Sequence, residues 1–155
     1  MRAIRPAVES DVSELIELAR RSWLSAFAQT APWPLIESWA VADRTSAHYQ
    51  RHWREMLVLV DAGAILGLVQ PVEAEINGLW VHPAHQGTGV GSRLLAAGED
   101  VIRREGHGTA WLRCSVYNPR ALAFYAKRGY VETRRVSSTH PTGLTYADVR
   151  MEHEL

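Results

Sequence analysis

An α/β domain built on a mixed sheet is the fold class this sequence predicts. Three observations carry it. Short apolar runs bounded by turn residues alternate with stretches whose apolar residues recur at helical spacing. A glycine-rich turn, Gln86-Gly87-Thr88-Gly89-Val90-Gly91, joins one of those runs to an amphipathic stretch. Three strand-like runs also follow one another between 56 and 81 with no helix among them, so the sheet is not purely parallel.

Composition sets the outer limits. The chain has 155 residues, 46% hydrophobic and 22% charged, and Lys+Arg and Asp+Glu both number 17. That is the profile of one globular domain, expected over residues 1–155. A chain of this size buries roughly 68–70% of its unfolded surface, enough for a real core. Zero net charge argues against nucleic acid as a main partner. The single Cys114 excludes an intrachain disulfide framework and a cysteine-based zinc site. No apolar run approaches the ~18 residues of a membrane helix, and Met1-Arg2-Ala3-Ile4-Arg5-Pro6 lacks the apolar core of a signal peptide. A cytoplasmic protein without a membrane partner is expected.

The elements follow in order. Residues 2–6 suit a short strand. Asp11 and Glu14 have the spacing of a capping box, and Val12, Leu15, Ile16, Ala19 and Trp23 place a helix over about 11–25. Ala31-Pro32-Trp33-Pro34 breaks it, and a second helical stretch runs from about 35 to 54. Met56 to Val60 reads as a buried strand, Asp61-Ala62-Gly63 as a turn, and Ala64 to Val69 as the return strand, ended by Pro71. Glu75 to Val81 is the next strand. Its Asn77-Gly78 is read as a bulge in preference to a hairpin, because the run before it is short. Val90, Leu94, Leu95, Gly98, Val101 and Ile102 mark a helix to about Glu105. A strand over Thr109–Tyr117 precedes Asn118-Pro119, an N-cap with proline at the first helical position. The short helix carrying Leu122 and Tyr125 stops at Gly129, and strands over Tyr130–Val136 and Thr145–Glu152 close the chain.

The glycine turn is an anion site by construction. A helix start leaves unpaired N–H groups and partial positive charge, and glycines let a phosphate approach the backbone. A Walker loop needs Gly-Lys-Ser/Thr, whereas this turn ends Val90-Gly91-Ser92. A dinucleotide fingerprint needs G-x-G-x-x-G, whereas Gly87, Gly89 and Gly91 give G-x-G-x-G. The pattern Q/R-x-x-G-x-G/A is met by Gln86, Gly89 and Gly91.

That pattern resembles the acetyl-CoA loop of the GCN5-related N-acetyltransferase (GNAT) superfamily. Downstream, Val116-Tyr117-Asn118-Pro119, Ala121 to Tyr125 and Arg128-Gly129-Tyr130 resemble the family's fifth strand end, fourth helix and sixth strand start. The resemblance implies a single-domain GNAT fold, a mixed, mostly antiparallel sheet with splayed strands 4 and 5 flanked by helices. It implies acetyl transfer from acetyl-CoA directly to a primary amine in a ternary complex, with no metal. The pantetheine arm would lie along Leu79, Trp80 and Val81, pairing with the backbone of Leu79 and Val81, one of whose N–H groups polarises the thioester. The pyrophosphate would sit on the amides of Gln86, Gly87, Thr88, Gly89, Val90, Gly91 and Ser92. Asn118 would bond pantetheine, and Tyr125 would protonate the departing thiolate. Glu75 is the candidate base, with Glu73 and an ordered water as alternatives.

Other residues carry weaker signals. His48 and His52 are spaced i, i+4 without an evident third metal ligand. His82 and His85 flank the glycine turn, and Cys114 reads as core. The N-terminal helical region, rich in tryptophan, is expected to wall the acceptor. Trp33 is the favoured aromatic there, Glu37 and Asp43 add negative charge for a cationic amine, and His140 lies in the loop between the last strands. A homodimer is a possible state. The competing class is an acyl-CoA-binding module with weak or no catalysis.

Overall fold

The computed structural model describes residues 1–139 and 144–155. The strands are β1 Ala3–Pro6, β2 Leu57–Asp61, β3 Ala64–Val72, β4 Glu75–Val81, β5 Thr109–Ser115, β6 Val131–Thr139 and β7 Thr145–Glu154. The helices are α1 Val12–Phe27, α2 Trp33–Ala42, α3 Arg44–His52, α4 Val90–Arg104 and α5 Pro119–Ala126. The seven strands of the described residues join one sheet in the order β1-β2-β3-β4-β5-β7-β6. Every described neighbour pair is antiparallel except β4 with β5, which is parallel. The mixed, mostly antiparallel sheet expected from the sequence is therefore present.

β2 and β3 are apolar on both faces because both faces are covered. On one side, Leu59, Val69 and Ile76 pack with Leu94, Leu95 and Ile102 of α4, and the same cluster continues to Leu112, Val149 and Met151. On the other, Val58, Ile65 and Leu68 pack with Leu15, Leu18 and Ala19 of α1 and Tyr49 of α3.

Four local expectations need correction. Asp11 and Glu14 form no capping box. The Asp11 carboxylate instead accepts from the Val8 N–H at 2.9 Å and from Arg5 Nη1 and Nη2 at 2.7 and 3.0 Å, while Glu14 accepts from the Ile65 N–H at 2.8 Å. Both acids tie the start of α1 to strands through charge-assisted hydrogen bonds, and the helix end they leave is already continued by a turn. The stretch expected as one helix over 35–54 is two, broken at Asp43, whose φ is 39°. Arg20 pairs with the Asp43 carboxylate, which also accepts from Ser46 Oγ at 2.9 Å, and together they hold that left-handed turn. Pro71 does not end its strand; β3 runs through it to Val72. Proline is tolerated there because the pairing slips one residue at Gln70/Pro71. The last two strands also run longer than expected, to Thr139 and Glu154.

The bulge expected at Asn77-Gly78 is found. Gln70 opposes Gly78 while Pro71 opposes Ile76, so Asn77 is the extra residue of β4. Beyond it β4 leaves β5. The two share one register pair, Glu75 with Trp111, closed by the Trp111 N–H to Ala74 O at 3.0 Å. The sheet is thus split along most of the β4–β5 line.

Candidate active site

The split leaves backbone groups of β4 facing a gap. The His82 N–H donates to Leu66 O at 2.8 Å, which fixes the antiparallel phase. Trp80 and His82 therefore turn their N–H and C=O toward β3, and Leu79 and Val81 turn theirs toward β5. The Val81 carbonyl is taken up by Ser22 Oγ at 3.0 Å and Gln86 Nε2 at 3.2 Å. The Leu79 amide groups and the Val81 N–H remain aimed into the gap.

The gap widens into a cleft of about 420 Å³. Its walls are the C-terminal half of α1, the β4 edge, the glycine turn and α5. Thr30, just past α1, closes one end by donating to Tyr117 O at 2.5 Å. At the other end, the residues before α4 turn sharply. Gly87 and Gly89 have φ of 74° and 85°, which the left-handed region makes costly for other residues. The Arg93 N–H bonds Gly89 O at 3.1 Å, so the N–H groups of Val90, Gly91 and Ser92 before it open toward the cleft. Gly91 answers a different need. A Cβ there would lie 3.2 Å from Phe124 Cε2, so its small size lets α5 close against α4.

Asn118 caps α5 by accepting from the Ala121 N–H at 3.2 Å, and it also lines the cleft. Tyr125 lines it about two turns further on and is buried. Burial first, and the neighbouring Cys114 second, push its phenol well above the ordinary tyrosine range. Burial and the Asp148 carboxylate push the Cys114 thiol up to about 12.

Glu75 lies on the opposite face of β4 from Leu79 and Val81. Ile76, Leu79 and Val81 all join the α4-side core, and Trp80 packs with the α1-side core. The extra residue Asn77 shifts the alternation, so Glu75 shares its face with Trp80 rather than with Leu79 and Val81. Burial raises its carboxyl above the usual range, while Arg113 and Arg150 pull the other way. Glu73 is exposed in the β3–β4 turn, with φ of 53°.

On that face lies a second cavity of about 260 Å³. Trp23, Trp39, Trp80, Tyr49, His48 and Arg44 are among its walls. Trp23 and Trp39 stack at 4.0 Å with an interplanar angle of 3°. Gln70 Nε2 donates to Glu55 at 2.6 Å, so Gln70 Oε1 is the acceptor for His48 Nε2–H at 2.8 Å. His52 contacts the other oxygen of Glu55 at 3.2 Å. Trp80 lines both cavities.

Aromatic residues of the N-terminal region line this cavity, and Trp33 is not among them. Trp33 and Glu37 are exposed on α2 and line neither cavity. Asp43 is spent on Arg20. His140 lies outside the described residues. His82 Nδ1 accepts from the Ala84 N–H at 3.1 Å, a structural role in the turn. Several cleft residues had no assigned role in the sequence, Ser22, Thr30 and Arg128 among them. Arg128 stacks its guanidinium over Phe124 at 3.6 Å, donates to Phe124 O at 2.9 Å and to Ser92 Oγ, and so presents a fixed cation beside the α4 N-terminus. In the sequence Arg128 is a basic residue near the end of a helix, which the helix dipole explains equally well, so it carried no sign of a ligand contact.

Comparison with known proteins agrees with this architecture. The acetyltransferase (GNAT) family model matches residues 12–130. The N-alpha-acetyltransferase RimI of Mycobacterium tuberculosis is 34% identical over 109 residues, which span 67% of this chain and 65% of that protein's length. A GCN5-related N-acetyltransferase from Rhodopseudomonas palustris superposes with a TM-score of 0.86 at 26% identity, over 100% of this chain and 96% of that one. The PaiA N-acetyltransferase of Thermoplasma acidophilum, solved with coenzyme A, shares the fold at a TM-score of 0.79 and 20% identity, over 100% and 99% of the two chains.

Proposed function

We propose that this chain, which belongs to the acetyltransferase (GNAT) family, acts as one domain over residues 1–155 that moves an acetyl group from acetyl-CoA to a primary amine. The observation that carries this is the unpaired β4 edge, which runs along a cleft ending on a ring of backbone N–H groups. A strand edge bonds the amides of a pantetheine arm as it would bond a neighbouring strand, and a helix start takes the pyrophosphate.

The chemistry then needs three things. The Leu79 or Val81 N–H stabilises the oxyanion that forms when the amine attacks the thioester carbonyl, a contribution of about 2.7–4 kcal/mol in comparable sites. The C–N bond forms, the C–S bond breaks, and Tyr125 gives its proton to the departing thiolate. The amine must also lose a proton, which Glu75 takes directly or through a water. Transfer is direct. With its thiol raised to about 12, Cys114 is not ionised at neutral pH and is a poor nucleophile. Asn118 and Ser22 border the arm, and metal chemistry has no part in the scheme.

Arg128 completes the phosphate end. Arg128→Leu is expected to raise KM for acetyl-CoA about tenfold, the worth of one charge-assisted contact, with kcat nearly unchanged. Repeating the assay with 3′-dephospho-acetyl-CoA locates the contact. If the variant and the parent then have equal KM, Arg128 serves the 3′-phosphate; if the gap persists, it serves the pyrophosphate. An unchanged KM with both donors removes Arg128 from the site.

The reading as a whole is tested by thiol release from acetyl-CoA over polyamines, aminoglycosides, amino acids, arylamines and peptides. Release above the amine-free background with any class supports it. Binding of acetyl-CoA without release from any amine points to a binding module, and no binding removes the donor site.

A further inference from the structure

If the chain transfers acetyl groups as proposed, the cavity behind Trp80 restricts which amine receives them; the inference rests on that reading. Four aromatic side chains, Trp23, Trp39, Tyr49 and Trp80, wall the cavity, with the Trp23–Trp39 stack as a flat slab. Among the described residues, no carboxylate lines the cavity. Glu37 stands away on α2, and Asp43 is paired with Arg20. The cation that lines the cavity, Arg44, has no hydrogen bond or ion pair among the described residues. His48 is pinned through Nε2–H to Gln70, so its orientation is fixed.

Each feature restricts the ligand. A flat indole surface favours a planar apolar group. An unpaired guanidinium favours a carboxylate, which it binds in two-pronged geometry. About 260 Å³ is small beside typical ligand sites of ~300–1,000 Å³, so it suits one ring system on a short arm. Indoles can also cage an ammonium group. Here such a cage would set that ammonium beside Arg44 with no carboxylate to offset the repulsion. Trp80 fixes the direction, since the residue that walls this cavity also walls the coenzyme cleft.

We infer that the acceptor is an aromatic amino acid, its ring held between the indoles of the α1–α3 cavity, its carboxylate on Arg44 and its amine directed past Trp80 to the thioester. Polycationic acceptors are disfavoured by the same geometry.

Calorimetry on the full chain saturated with coenzyme A tests this with L-tryptophan, tryptamine and spermidine. Tryptophan and tryptamine differ only in the carboxylate. Tryptophan is expected to bind at least tenfold more tightly than tryptamine, and spermidine least well. Arg44→Gln, a change at an exposed position, is expected to shrink the tryptophan-to-tryptamine preference at least fivefold. Equal binding of the two indoles, tighter binding of spermidine, no aromatic binding, or a preference that survives Arg44→Gln each overturns the inference. Thiol-release assays separate its failure from that of the underlying reading. Release with spermidine but not tryptophan keeps acetyl transfer and rejects the aromatic amino acid. Tryptophan binding with no release from any amine keeps the cavity's ligand and rejects transfer.

Discussion

Tyr125→Phe is expected to lower kcat by about 10²-fold or more, the usual worth of a positioned general acid, while KM for acetyl-CoA stays within about twofold. The ring would remain. Tyr125 is buried and packs edge-on against Phe124 at 5.2 Å and Tyr130 at 5.7 Å, contacts that phenylalanine keeps. Only the proton is lost. Burial holds the phenol protonated beyond the ordinary tyrosine range, so Tyr125 can give a proton at assay pH but cannot serve as a base there. Its ionisation therefore sets no alkaline limb on the rate. With Glu75 as the proposed base, an acid limb set by Glu75 is expected. As a base it must be ionised, and burial raises its folded pKa above the ordinary 4.5, so activity rises with pH through that higher value. The same shift acts oppositely on stability. A carboxyl with a raised folded pKa contributes stability that is full below its unfolded pKa and is lost as pH rises through the folded one. Activity gained on that limb is thus accompanied by stability lost. Glu75→Gln should remove the limb if Glu75 is the direct base. A Tyr125→Phe enzyme with parental kcat would exclude the acid role.

Gly67→Ala is expected to cost about 1–3 kcal/mol, which for a chain of this size lowers Tm by roughly 2–12 °C. A Cβ at Gly67 would fall 2.7 Å from Leu94 Cδ1 and 2.8 Å from Trp80 O. The leucine methyl can turn aside, but the carbonyl belongs to the strand paired with β3 and cannot move without β4. Leu79 and Val81 flank that carbonyl, so kcat/KM for acetyl-CoA should fall along with stability. Gly78→Ala, on the neighbouring strand β4, is the control. Its Cβ would meet nothing closer than 3.8 Å, so a stability change within about 0.5 kcal/mol is expected. Equal losses at the two positions, measured by thermal melts, would refute the close-approach explanation.

Features governed by neighbours in sequence were legible in the chain. Gly87 and Gly89 announce a backbone turn, Asn118-Pro119 announces a helix start, and Asn77-Gly78 announces a bulge, because each depends on local φ, ψ or capping. Features governed by distant partners were not. Asp11 and Glu14 have capping-box spacing, yet Arg5 and the Ile65 amide outcompete the helix end for them. Asp43 gives no hint of a left-handed break until Arg20 is brought beside it. The face taken by Glu75 turns on one inserted residue, which reverses the parity of a strand. Among the tryptophans, Trp33 beside prolines looked like the exposed ligand wall, but the slab is Trp23 on Trp39, a pairing between two helices that spacing along either one cannot show.

Most sheets have two edges. This one has a second pair inside it, where β4 and β5 part after Glu75 and Trp111. Exposed edges invite pairing by any extended chain, and proteins normally guard them with charge, proline or short length. The inner edges are guarded by width. Ser22 and Gln86 already cap the Val81 carbonyl, and Phe124 crowds against Gly91 across the opening. A peptide strand brings a side chain at every residue and would have to force these walls apart. A thin, unbranched chain with a few amide groups brings none. The slot is thus a filter on cross-section, admitting a slender amide-bearing arm while resisting the strand-like chains whose stacking leads to aggregation.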